Sequence, residues 1–124
     1  MSRTTSSKTS AKSSSASASA AANSAPAGLE QLDPLLQHRS RLGALVLLSG
    51  ADALSFTRLR TLLDETDGNL GAQLRKLEDA GYVSTKKEFV DRKPVSWYLL
   101  TAEGQRALKT HLRAMESLIR AAKV

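Results

Sequence analysis

A chain of 124 residues is one domain's worth, and eighteen Lys and Arg against twelve Asp and Glu leave it with a net charge of +6. That balance points to an acidic partner, either nucleic acid or an anionic membrane surface. The chain has no cysteine, which excludes a disulfide frame, a thiolate metal switch and a redox-sensing thiol, and no apolar run approaches the ~20 residues that span a bilayer.

Residues 1–28 contain ten Ser, three Thr and eight Ala, and no Leu, Ile, Val, Phe, Trp or Tyr. Such a segment cannot bury enough apolar area to offset its ordering entropy, so a disordered tail is expected. It holds Arg3, Lys8 and Lys12 and no acid, and therefore carries half of the chain's excess charge. The Ala/Ser run is too weakly apolar for a secretory signal. Residues 29–124 are the expected folded unit.

Leu29 to Gly50 reads as the first helix, with Asp33 as its cap and Pro34 at the first helical position. Leu35, Leu42, Leu45 and Leu48 mark one face. Leu36, Val46 and Leu47 widen the apolar surface, which suggests burial on two sides, one of them against a second subunit. His38 has no metal-ligand pattern around it. Ala53 to Ser55 is a candidate short strand.

Ala53 to Val83 then reads as two short amphipathic helices joined by a tight polar turn. Phe56, Leu59, Leu62 and Leu63 recur at helical spacing in the first, with Ser55 as N-cap. Leu70, Leu74 and Leu77 do so in the second, with Asp67 at its start and Gly81 as the left-handed stop. Phasing on those leucines turns Asn69, Ala72, Arg75, Lys76 and Asp79 outward, with Gln73 at the edge of that face. Asn and Gln pair bidentately with adenine, Arg and Lys with guanine; an ordinary solvated face would also be polar, and context decides between them.

Val83 to Phe89 alternates, as do Val95, Trp97 and Leu99, and Asp91 to Pro94 lie between. This is a hairpin with a long basic tip, carrying Lys86, Lys87, Arg92 and Lys93. Trp97, at an alternating strand position, is expected in the core. Thr101 caps a last helix to about Ala122. Along it Leu108, Leu112, Met115, Ile119 and Ala122 follow the 4-3-4-3 rhythm of a coiled-coil seam. That helix is longer than a module of this size needs, which favours a dimer contact. His111 flanks the seam.

Helix, short strand, helix-turn-helix, hairpin and long helix, in that order, define a mainly α domain with a small β-hairpin wing. The combination of LSFTRLRTLL, DGNLGAQLRKLEDAGYV, DRKP and WYLLTAEG resembles the winged helix-turn-helix regulators of the MarR, PadR and ArsR type, closest to their small single-domain members. The resemblance spans about Leu32 to Leu112. It implies sequence-specific binding of double-stranded DNA by a homodimer, with control of transcription as the role; a cytoplasmic, nucleoid-associated place is expected, and a repressor would act by occluding a promoter, although the sequence does not choose between repression and activation. The second motif helix would enter the major groove, with Asn69, Gln73 and Lys76 at base edges. Arg75, Ser55, Thr57 and Arg58 would hold phosphates. Arg92 would enter the minor groove, Lys93 would meet a phosphate, and Lys86 and Lys87 would add to the basic wing. A winged helix that docks a protein partner is the alternative reading; the basic wing and the Asn/Gln-bearing face favour DNA. No Gly-rich phosphate loop, paired acid/base carboxylates or Ser/His/Asp grouping is visible, so no catalytic residue, metal or cofactor is expected.

Overall fold

The computed structural model describes residues 24–123. Two 3-10 turns, Leu29–Gln31 and Pro34–Leu36, precede α1 (Arg39–Ser49), β1 (Leu54–Ser55), α2 (Phe56–Leu63), α3 (Asp67–Asp79), β2 (Val83–Val90), β3 (Lys93–Leu100) and α4 (Ala102–Ala122). The three strands form one antiparallel sheet in the order β1-β3-β2. The mainly α fold with a hairpin wing is therefore the one the chain adopts. The expectation of a disordered tail falls on residues outside the described ones, apart from its last five. Of these, Gly28 is buried, and a Cβ there would stand 2.8 Å from the Ala114 carbonyl oxygen of α4.

The first helix is shorter than its pattern suggests. Asp33 does cap a turn that opens with Pro34, accepting from the Leu35 amide at 2.9 Å, but that turn is 3-10 and closes after Leu36. His38 interrupts the path in an extended conformation and caps α1 itself, its Nδ1 accepting from the Ser40 amide at 3.1 Å. Apolar periodicity continues across the break because the 3-10 turn and α1 bury their leucines in the same core, Leu36 from the turn and Ala44, Leu45 and Leu48 from the helix.

The core is built largely from leucine. Leu36, Leu45, Leu48, Leu59, Leu70, Leu74 and Leu77 are fully buried, and Leu108 of α4 joins them. Leu54, Phe56, Tyr82, Tyr98 and Leu100 pack on its margin. Both motif helices turn leucines inward, Leu59 and Leu63 from α2 and Leu70, Leu74 and Leu77 from α3, but Leu62, expected on the same face of α2, is exposed because it lies about 60° from Leu59 on the side away from Leu63. Removing one of these side chains to Ala would be costly, since such truncations leave cavities worth ~2–5 kcal/mol.

Two junctions fix the helix-turn-helix to the rest. At the end of α3, Gly81 has φ +83°, its amide donates to the Glu78 carbonyl at 3.0 Å and the Tyr82 amide to the Leu77 carbonyl at 2.9 Å. This is the Schellman arrangement, and it needs a residue free to adopt positive φ. At the start of α4, the Thr101 hydroxyl accepts from the Gly104 amide at 2.9 Å and donates to the Gly81 carbonyl at 2.6 Å. The Thr101 amide reaches the Tyr82 carbonyl at 3.1 Å. One threonine therefore caps the last helix and ties it to the end of α3.

A second node holds the N-terminal segment. The buried ring of His111 accepts the Asp33 amide through Nδ1 at 2.9 Å, which puts the ring proton on Nε2. The Tyr82 hydroxyl donates to the Asp33 carboxylate at 2.5 Å. His111 therefore faces inward and does not flank the exposed strip of α4. Burial pushes the Tyr82 phenol up to about 12, helped by the bond to Asp33 and by the negative charges of Asp33 and Glu103. A folded-state pKa raised in this way contributes stability that is complete below the ordinary tyrosine value of ~10 and is lost as pH rises toward 12. Tyr82→Phe is expected to cost about 1 kcal/mol at neutral pH, the worth of one hydrogen bond. Urea titrations of both chains should show the gap narrowing between pH 10 and 12; a gap independent of pH over that range would contradict the assignment.

Candidate nucleic-acid interface

The second motif helix, α3, opens one residue earlier than a cap at Asp67 would allow. Thr66 is the cap, its hydroxyl accepting from the Asn69 amide at 3.2 Å, and Asp67 is the first helical residue. The Asp67 carboxylate there complements the helix dipole. It is also paired with Arg60 of α2 at 2.7 Å, which offsets its charge at the end of the helix that would meet an anion. Ser55 caps α2 as expected, accepting from the Arg58 amide at 3.1 Å. Its hydroxyl is thereby engaged, whereas Thr57 and Arg58 project from α2 into solvent.

Gly68, Asn69, Ala72, Arg75, Lys76 and Asp79 of α3 are exposed. Gln73 is not. It is buried, 8% exposed, and its Oε1 accepts from Arg41 of α1 at 2.5 Å. The expected place of Gln73 at the edge of the outward face is corrected by that geometry. At ~100° per residue Gln73 lies about 60° from Leu70, on the inward side, and Arg41 satisfies the buried amide. Arg41 also donates to the Leu35 carbonyl at 2.6 Å, so Gln73 ties α3 to α1 and to the turn before it.

Asn69 is held by a residue that the sequence did not single out. The Glu65 carboxylate, in the turn between α2 and α3, receives three donors: the Ser40 hydroxyl, the Asn69 side-chain amide and the Arg39 guanidinium, the last at 3.2 Å. The Ser40 and Asn69 hydrogen bonds, with the positive charge of Arg39 behind them, hold the Glu65 carboxyl below its ordinary range. An Asn amide has two N–H groups, so the bond to Glu65 leaves Oδ1 and one N–H unengaged by it, the pair that adenine recognition uses. Arg39 and Ser40 lie some 25 residues before Glu65 in the chain, which is why no local motif marked the cluster.

The hairpin departs from expectation at its tip. Val90 pairs directly with Lys93, so Asp91 and Arg92 alone make the turn, with φ +54° and +68°. Two successive positive φ values are the mark of the tight I′ hairpin turn, whose twist matches that of the strands. Lys86, Lys87, Arg92 and Lys93 are all exposed, alongside Glu88 and Asp91. Trp97 is only half-buried, although its Nε1 is enclosed, and Phe89 stands out at 76% exposure. Nearer the domain the wing is anchored to both motif helices: the Thr85 hydroxyl donates to Glu78 of α3 at 2.9 Å, and Tyr98, opposite Thr85, meets Phe56 of α2 in a tilted ring contact, centroids 6.4 Å apart. Burial, with the nearby charge of Glu78, raises the Tyr98 phenol above its ordinary pKa, so it remains neutral there.

Of the seam residues on α4, Leu108 belongs to the domain's own core, at 5% exposure. Leu112 and Ile119 are exposed at 41% and 62%, Met115 is half-buried and Ala122 is exposed. Leu108, Leu112, Met115 and Ile119, with Ser49 of α1, line an open apolar groove of about 570 Å³, and Ala122 lies outside it.

A three-helix core with a helix-turn-helix, a two-stranded wing and a third strand closing the sheet defines a winged helix-turn-helix. Residues 40–119 match the family model described as the winged helix DNA-binding domain, and the chain belongs to that family. It is 36% identical over 72 residues to the uncharacterized protein MJ0432 of Methanocaldococcus jannaschii, over 58% of this chain and 78% of that one. Its fold is similar to the structure of a transcriptional regulator homologue from Pyrococcus horikoshii, with a TM-score of 0.68, 30% identity, and coverage of 73% of this chain and 89% of the other. A MarR family transcriptional regulator from Silicibacter pomeroyi is similar at TM-score 0.55 and 25% identity, over 70% and 58% of the two chains. The likeness to MarR-type regulators read from the motifs therefore holds in three dimensions.

Proposed function

We propose that this chain is a sequence-specific regulator of transcription that binds double-stranded DNA as a homodimer and represses by occlusion. The observation that carries the reading is the pairing of an exposed α3 face with a basic hairpin tip in a domain of the DNA-binding winged helix family. Helix α3 enters the major groove by its N-terminal end, with Asn69 and Lys76 at base edges and Gln73 supporting the helix from behind. Arg75, Thr57 and Arg58 contact phosphates and set register. Lys86, Lys87 and Lys93 track the backbone, and Arg92 senses the potential of the neighbouring minor groove. The apolar strip of Leu112, Met115 and Ile119 joins two subunits so that two half-sites are read together. Residues 29–124 suffice for sequence choice, and the basic segment before them adds non-specific attraction.

The test is fluorescence anisotropy on a duplex selected from a random pool and on a scrambled one, at several salt concentrations. Asn69→Ala should cost ~1–3 kcal/mol on the selected duplex and little on the scrambled one, because one bidentate base contact is worth about that. Lys93→Ala should weaken both alike and lower the salt slope by about one unit. Absence of duplex binding at low salt would instead support a winged helix that docks a protein.

A further inference from the structure

Phe89 is the most exposed large apolar side chain among the described residues, at 76%. Strand alternation and register put it on one face of the wing with Thr85, Lys87, Tyr98, Ser96 and Pro94, and directly opposite Pro94. That face is the one turned toward the helix-turn-helix, since Thr85 bonds to Glu78 of α3 and the Tyr98 ring contacts Phe56 of α2. Phe89 lies four residues beyond Thr85 on this strand, about 13 Å at ~3.3 Å each. Phe89 therefore stands at the far end of the wing on the side of the recognition helix. Half a turn of duplex, the step from a major to a neighbouring minor groove, is about 17 Å, comparable to the ~13 Å of strand beyond Thr85 with the length of the Phe89 side chain added.

The surroundings select the occupant. Lys86, Lys87, Arg92 and Lys93 lie within four residues of Phe89, against Glu88 and Asp91. An apolar point set among cations suits a polyanion that contains an apolar slot. It is too narrow for a folded protein partner, whose interfaces take about 800 Å² a side. Nor does it suit a bilayer, because the other apolar tip residue, Val90, pairs with Lys93 on the opposite face.

We propose that Phe89, backed by Pro94, is a wedge that enters the minor groove, partly unstacks one base step and kinks the duplex. Phe and Pro are among the side chains that do this, and pyrimidine–purine steps yield most readily. The inference rests on the reading of α3 and the wing as a duplex-binding surface.

The full chain would be titrated against the selected duplex with 2-aminopurine placed singly at successive flank positions, and against an end-labelled duplex for energy transfer. Wild type at saturation should raise 2-aminopurine emission several-fold at one position per half-site and bring the ends closer. A TA step there should bind about tenfold better than a stiff A-tract. Phe89→Ala, checked by thermal melting, should bind at raised protein concentration with neither signal nor step preference, whereas Phe89→Leu should keep part of both. Lys93→Ala should weaken binding and keep the emission rise at saturation. Saturated binding by wild type without an emission rise at any position, or an equal rise with Phe89→Ala, overturns the wedge and leaves DNA binding intact. Failure of wild type to bind any duplex at low salt overturns the underlying reading.

Discussion

Leu112→Glu and Ile119→Glu are each expected to convert the protein to a monomer and to weaken binding to its selected duplex by on the order of 10²–10⁴-fold. The affinity loss follows from multivalency. A second half-site bound by a tethered partner domain adds that factor without any new contact, and it disappears when the tether does. The experiment is clean because neither side chain supports the subunit's own fold: they are 41% and 62% exposed, while the inward face of α4 is carried by Gly104, Leu108, His111 and Ala114. The variants should therefore stay folded, with a melting temperature that no longer depends on protein concentration. Light scattering at tens of micromolar, with anisotropy on full and half sites, reads both parts. A wild-type monomer, or a glutamate variant that stays dimeric, would remove the α4 strip from the interface.

Gly104→Ala is expected to be the most damaging single methyl in the domain. A Cβ at this position would overlap the Tyr82 carbonyl oxygen, and would lie 2.9 Å from the Tyr82 carbonyl carbon and 2.8 Å from Leu100 Cδ1. The obstacle is backbone, already committed to the Thr101 amide, so it cannot rotate aside. Overpacking costs 1–3 kcal/mol, and a backbone clash belongs at or above the top of that range, so a loss of about 3 kcal/mol is expected. For a domain of this size that lowers the melting temperature by on the order of 10–20 °C. Gly71→Ala provides the contrast: nothing lies within 4 Å of its added Cβ, and alanine should gain up to ~1 kcal/mol in the middle of α3. Calorimetry showing the two variants alike would refute the packing argument. The same geometry gives Thr101 and Gly104 their separate tasks: the threonine closes the helix end and the glycine lets α4 cross the chain leaving α3.

The order of elements was legible because each carries its own local chemistry. Leucine spacing, Ser55 and Thr101 as caps, Gly81 as a stop and alternation through Val83–Phe89 each depend on neighbours a few residues away. What was not legible depends on distance in sequence. Gln73 looks like a surface residue until Arg41, 32 residues earlier, is seen to satisfy it. Glu65 looks like turn filler until Arg39, Ser40 and Asn69 converge on it. Leu108 fits a seam by rhythm, yet the core claims it. His38 breaks what reads as one continuous helix, because apolar spacing reports burial and not the conformation between buried residues. The tip looked long because Pro94 suggests a turn, whereas the ladder runs through to the pair Val90–Lys93.

The turn at Asp91 and Arg92 places two ordinary L-residues where backbone geometry favours Asn and Gly. Aspartate tolerates a left-handed conformation through its short polar side chain; arginine gains nothing locally from it. A hairpin optimised only for its own persistence would carry glycine at residue 92 and no charge. With the role proposed for Arg92, the wing tip is a place where resistance to unfolding and engagement of a ligand make opposite demands on one residue.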